Sequence, residues 1–243
     1  MKKLFVFVLG IFLSQSIYSQ TTFHDSTALL ILDKVGEYFG QLNSLKFTTQ
    51  ISEDVAFSDN FFIKEFKNAE FIFQGKNKMA AKISNQGKDR FFLYNGEQAI
   101  YYVKEDNYYT AADAPNSTLE MLDWLDQSFG VHLLFADFLY PDFTISLVEN
   151  MDYLEFLGTA YLDGIEYYHI GGANADLSFQ LWIHQDLEMK PKKVVLTYFG
   201  EPYARQMEVN FDNWESNEIY PQTIFEFLPP PNSRQIIWLQ KNQ

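Results

Sequence analysis

DLSFQLWIHQDLEMKPKKVVLTYFGEPYARQMEVNF, residues 176–211, holds three extended runs in succession. In the first, Phe179, Leu181 and Ile183 fall on one face when read by twos, and Ser178, Gln180 and His184 on the other. The second, residues 193–199, is rich in Val, Thr and aromatic residues. The third alternates without a break: Met207, Val209 and Phe211 face one way, Gln206, Glu208, Asn210 and Asp212 the other. Strict alternation is what a sheet requires when one face is dry and the other wet. A dry face must be covered, so these runs predict a curved antiparallel sheet with an apolar concave side.

Working outward, the whole chain reads as mainly β with a minority of helix. All-β folds run to roughly 200–250 residues as one domain, and these 243 residues show no linker, low-complexity tract or internal repeat. The 24 Phe and 15 Tyr favour strands, because aromatic rings pack well on a pleated, half-buried surface. The first nineteen residues stand apart: a basic Lys2-Lys3, an apolar stretch over 4–13, and a small, polar end over 14–19. That is the layout of a secretory signal peptide, cleaved after Ser19 to leave Gln20 first. The division expected is therefore residues 1–19 as signal peptide and 20–243 as one domain. The apolar stretch is too short to span a bilayer, and no later one reaches about 20 residues.

Loss of Lys2 and Lys3 takes the formal charge from −14 to −16. Such a chain repels nucleic acid and anionic lipid surfaces. There are no cysteines, which removes disulfides, thiolate metal sites, thiol nucleophiles and a lipid-modified N-terminal Cys. The expected location is the periplasm, with the protein soluble and not lipid-anchored.

Before the deciding stretch, Ser26 is the predicted N-cap of a helix reaching Leu42, with Ile31, Val35, Tyr38 and Leu42 along one face. Strands follow at 45–51, 61–66, 70–73, 79–83, 90–94 and 98–103, the last two joined through Asn95-Gly96 as a two-residue hairpin. Ser117 and Glu120 form a capping box ahead of Leu122, Leu125 and Phe129, predicting a helix over 118–128. A short helix over 133–140 comes next. Asp163-Gly164 joins strands 153–162 and 165–170. After the deciding stretch, 223–228 reads as a final strand, stopped by Pro229-Pro230-Pro231.

Little in the sequence points to catalysis. His24, His132, His169 and His184 lie far apart without ligand-like spacing, so no metal and no cofactor is expected. Gly171-Gly172 reads as a turn rather than a phosphate cradle. Glu53/Asp54, Asp163/Glu166 and Glu208/Asp212 offer carboxylate pairs, but each falls on a wet face or in a turn. Trp182 and Trp214 are candidates for sugar stacking, though sheet tryptophans more often pack.

Four stretches in order, VHLLFADFLY (131–140), YLDGIEYYHI (161–170), FQLWIHQDLEMKPKKVVLTY (179–198) and FEFLPPPNSRQI (225–236), resemble a family of predicted periplasmic proteins of unknown function. The resemblance covers residues 29–237. It implies the fold of the periplasmic lipoprotein carrier and its outer-membrane receptor, a half-open antiparallel barrel with helices covering its concave face. Many members carry Arg-Pro early, where this chain has Gly75-Lys76-Asn77-Lys78. On this resemblance the dry face is a cavity, with Phe179, Leu181, Ile183, Met207, Val209, Phe211, Leu122 and Leu125 lining it. The implied partner is a hydrophobic small molecule, lipid or lipoprotein acyl chain. The alternative is a protein-binding envelope regulator or assembly factor with a filled core, and an enzyme acting on surface polymers is the third reading.

Overall fold

The computed structural model describes residues 22–58, 61–131, 133–200 and 204–238. The expected leader and His132 lie outside these. In chain order the elements are β1 (Phe23–His24), α1 (Ser26–Gly40), β2 (Ser44–Ser58), β3 (Phe61–Gln74), β4 (Lys78–Asn85), β5 (Lys88–Tyr94), β6 (Gln98–Val103) and β7 (Tyr108–Asp113). A helical segment follows: α2 (Thr118–Phe129), a 3-10 helix (Leu134–Leu139) and α3 (Phe143–Asn150). Then come β8 (Tyr153–Leu162), β9 (Ile165–Ala173), β10 (Leu177–His184), β11 (Pro191–Tyr198), β12 (Arg205–Ser216), a 3-10 turn (Gln222–Ile224) and β13 (Arg234–Gln235).

All thirteen strands among the described residues belong to one open, curved sheet, ordered β1-β8-β9-β10-β11-β12-β2-β3-β4-β5-β6-β7-β13. Two antiparallel meanders, β2 to β7 and β8 to β12, meet where β12 pairs with β2, as in Phe211↔Thr49. The two-residue strands β1 and β13 pair in parallel with β8 and β7. The connection from β7 to β8 has to pass from one end of the sheet to the other. It does so as the helical segment, which covers the dry face together with α1. Ala28, Ile31, Leu32, Val35 and Phe39 of α1 and Met121, Leu122 and Leu125 of α2 are buried there, in one apolar cluster with Phe47, Phe71, Leu181 and Phe211. The mainly β, helix-covered half-barrel read from the sequence is the observed architecture.

Local chemistry explains most boundaries. Ser117 Oγ accepts from the Glu120 N–H, and Gly130 closes α2 at φ +68°. Asp163 and Gly164, with φ of +52° and +80°, make the two-residue turn between β8 and β9. The Asn95 turn is one residue longer than expected, because Asn95 Oδ1 accepts from the N–H groups of both Glu97 and Gln98. Asp25, rather than Ser26, caps α1. Its Oδ1 accepts from Thr27 N–H at 2.9 Å and its Oδ2 from Phe156 N–H at 3.1 Å, a bridge to β8 that the shorter Ser side chain does not make.

Two further expectations require correction, and one element was not expected. Residues 223–228 are not a strand: after the 3-10 turn the chain runs as an unpaired strap, with Phe225 fully buried beside Ile72 and Ala80. Phe227 packs on Tyr102 and Tyr109, so the alternating aromatics serve side-chain packing rather than a ladder. Gly171-Gly172 is not a turn but part of β9, opposite Phe179 and Gln180. Residues 143–150, unassigned in the sequence reading, form α3.

Candidate functional site

The alternation in β10, β11 and β12 becomes a grid once the strands pair. Leu181 stands opposite Val194, and Val194 opposite Val209. Phe179 stands opposite Leu196, and Leu196 opposite Met207. Paired residues project from the same face, so these rows form an apolar floor. The roof is Asp137 and Phe138 of the 3-10 helix, Phe143 and Leu147 of α3, and Met151. Between floor and roof lies a chamber of about 150 Å³, with Leu177 and Phe211 also in its wall. A space of this size, lined by apolar side chains, admits a benzene-sized guest.

Rings close one end. Phe138 lies edge-on to Phe143 at 5.1 Å between centroids and to Phe211 at 6.4 Å, and stacks with Phe39 at 5.9 Å. Gly172 shapes the floor from beneath. A Cβ at that position would stand 2.3 Å from the Phe179 ring, so its absence lets the ring lie over β9.

Of the eight residues expected in the cavity wall, Phe179, Leu181, Val209 and Phe211 line this chamber. Ile183 is fully buried farther along β10, opposite Pro191. Met207 is half-buried against the core without lining the chamber. Leu125 is fully buried in α2. Leu122 borders a second hollow, of about 350 Å³, bounded by Asp123, Asp126, Tyr140, Asp142, Ser146 and Asn150. The two hollows share Asp137, Phe143 and Leu147, so the 3-10 helix and α3 separate an apolar interior from an acidic exterior. Tyr140 donates to Asp123 Oδ1 at 2.7 Å, and burial together with that carboxylate holds its hydroxyl well above the usual phenol range.

Val194 and Leu196 were harder to read, because Val195 between them is apolar and their strand lacks the polar alternation around Val209 and Phe211. Phe138 falls in the short helix expected over 133–140 but was not singled out, and Phe143, Leu147 and Met151, though spaced four apart, belong to or follow a helix of only eight residues.

The polar residues singled out earlier are engaged elsewhere. His24 Nε2 lies 2.8 Å from Met151 O, and His169 Nε2 lies 3.1 Å from Gln180 Oε1. Burial holds the His169 and His184 imidazoles below the usual histidine pKa. Trp182 has His169 stacked on it at 4.4 Å and Lys193 Nζ 5.9 Å from its ring. Trp214 packs against Phe47 at 4.6 Å and Phe211 at 5.7 Å. Glu208 pairs with Lys193 at 2.8 Å, Asp54 with Lys64 at 2.9 Å, and Asp212 with Lys192. Among the described residues no group of three or more His, Asp or Glu is placed to hold a metal ion, and no helix is long and apolar enough to cross a membrane.

A family model described as "Predicted periplasmic protein (DUF2092)" matches residues 28–239. A search of the curated proteins found no match. Among solved structures, an uncharacterized conserved protein from Thermus thermophilus is 10% identical, with a TM-score of 0.50 over 87% of this chain and 99% of that one. That likeness concerns the fold. The lipoprotein LppX of Mycobacterium tuberculosis is 15% identical at a TM-score of 0.47, over 81% and 98% of the two chains. A LolA superfamily protein from Nitrosomonas europaea is 10% identical at 0.34, over 82% and 97%.

Proposed function

The chain belongs to the DUF2092 family of predicted periplasmic proteins, and from that premise we propose that it is an exported, non-enzymatic carrier or binding protein for a hydrophobic ligand. The observation that carries this reading is the chamber, whose walls are apolar side chains apart from Asp137. A filled core, as the alternative of an assembly factor requires, leaves no such void.

The chamber's size supports one mode of binding. A benzene-sized space takes the end of an acyl chain but not its length, so a longer guest is taken in whole only as the roof rises, its remainder otherwise projecting through the open side. The roof is suited to that. α3 is eight residues long, Phe143 is its one buried residue, and it packs on α1 and the 3-10 helix. Each methylene buried contributes roughly 0.8 kcal/mol, against the cost of ordering ligand and roof.

The test is native mass spectrometry of the protein taken from its own envelope, paired with titration of a fluorescent fatty acid. A co-purifying lipid mass and saturable probe binding are expected. Val194→Trp, which fills the floor, should abolish both while costing less than about 1 kcal/mol of stability, because the ring enters existing space. A loss of about 1–3 kcal/mol, the range for overpacking a full core, with no probe bound by the wild type, would sink the carrier reading.

A further inference from the structure

The apolar chamber and the hollow on the other side of its roof differ most in charge. Asp137 is the one charged side chain in the chamber wall, and the outer hollow adds Asp123, Asp126 and Asp142 to it. These four belong to three elements: α2, the 3-10 helix and the residue that starts α3. The fold gathers them, since no run in the sequence does. Among the described residues no Lys, Arg or His lines either space.

The contacts made there do not supply positive charge. Asp123 accepts its hydrogen bond from the neutral hydroxyl of Tyr140, and Asp142 makes no capping bond to α3. The resulting field registers at Tyr140. Burial is the first cause of its raised hydroxyl pKa, and the carboxylates of Asp123, Asp137 and Asp126 all push the same way, because each opposes a second negative charge.

We propose that the chamber's ligand is an amphiphile with a cationic head, an alkyl chain that ends in an amine rather than in a carboxylate or phosphate. This rests on the carrier reading above and adds the head to it. The two spaces meet at Asp137, Phe143 and Leu147, so a tail seated on the floor of β10 to β12 has carboxylates next to the wall where it ends. An ammonium group placed there exchanges part of its hydration for carboxylate oxygens, whereas an anionic head brings like charges together. Asp137 is half-buried and the other three are exposed. The preference is therefore that of an ion pair near the surface, about fivefold in affinity. The tail supplies most of the binding, and the head decides which tail-bearing molecule is held.

Calorimetric titration of the wild type with decylamine, decanol and decanoate, each below its micelle concentration, varies the head while the tail stays the same. At low salt decylamine should bind about fivefold tighter than decanol, and decanol about fivefold tighter than decanoate. High salt should compress that order by screening the carboxylates. Asp137→Asn and Asp142→Asn should each lower the ratio of decylamine to decanol affinity several-fold. Asp106→Asn makes the same change in net charge in the exposed turn between β6 and β7 and should leave the ratio as it is. Decanoate binding as tightly as decylamine overturns the inference and leaves the carrier reading standing. So does a ratio that the Asp137 and Asp142 variants move no more than Asp106→Asn does. If none of the three compounds binds, the carrier reading itself fails and the assignment of the head falls with it.

Discussion

Gly172 shows how far one missing methyl reaches. Its bare backbone lets the Phe179 ring lie across β9, and that ring is chamber wall. Gly172→Ala should drive the ring toward the open space. The expected outcome is a several-fold weaker fatty-acid probe with a modest loss of stability; a fall of about 1–3 kcal/mol in urea melts with the probe unaffected would mean the ring had nowhere to go. His169 and His184 make a second residue-scale prediction. Burial lowers both imidazoles from the usual 6.5, so the unfolded chain binds the proton first. Their neutral forms contribute stability that is present above pH 6.5 and lost as pH falls toward the depressed folded values. His169→Gln together with His184→Asn should flatten the melting temperature between pH 7 and 5.5, where the wild type declines. At this scale the sequence was informative wherever a strand alternates. Val209 and Phe211 were found because they recur by twos between polar residues, whereas Phe138, in a 3-10 helix, and Met151, between α3 and β8, belong to no such repeat.

Elements were legible in proportion to their length and caps. α2 announced itself through Ser117 and Glu120, and α1 through its buried stripe. α3 did not, because it is eight residues long and its Asp142 makes no capping bond. The strap from Thr223 to Leu228 misled for a physical reason: packing on the outside of a sheet rewards the same alternation as pairing within it. The start of α1 was misplaced by one residue, and that residue carries a testable load. Asp25 accepts from both Thr27 and Phe156, so Asp25→Ala removes a cap and the tie to β8 together. A loss of about 1–2 kcal/mol is expected, with Asp25→Asn recovering part of it; equal melts for wild type and Asp25→Ala would show that the bridge is idle.

For the whole molecule, the curved sheet and its helical cover followed from local pattern, but the pairing of β12 with β2 did not. No feature within either strand names a partner some 160 positions away; that register is set by closure of the sheet around a shared core. We expect residues 20–243 to unfold as one unit for this reason, since neither meander completes its apolar cluster alone. A chain ending at Asn210 should yield no soluble protein with a cooperative melt. A sharp, reversible transition in that fragment would divide the molecule in two.

That pairing has a meaning in time as well as in space. If the chain is exported N-terminus first, as proposed above, β2 is delivered early and its neighbour β12 nearly last. Throughout the interval one side of β2 offers unpaired N–H and C=O groups to any extended peptide nearby, the condition in which nascent sheets aggregate. How much of this protein survives transit should therefore depend on whatever shields that edge until residue 216 has emerged, and only weakly on how stable the finished sheet is. Slowing the arrival of residues 205–216, by inserting a flexible spacer before Arg205, should lower the exported yield while leaving the melting temperature of what accumulates unchanged.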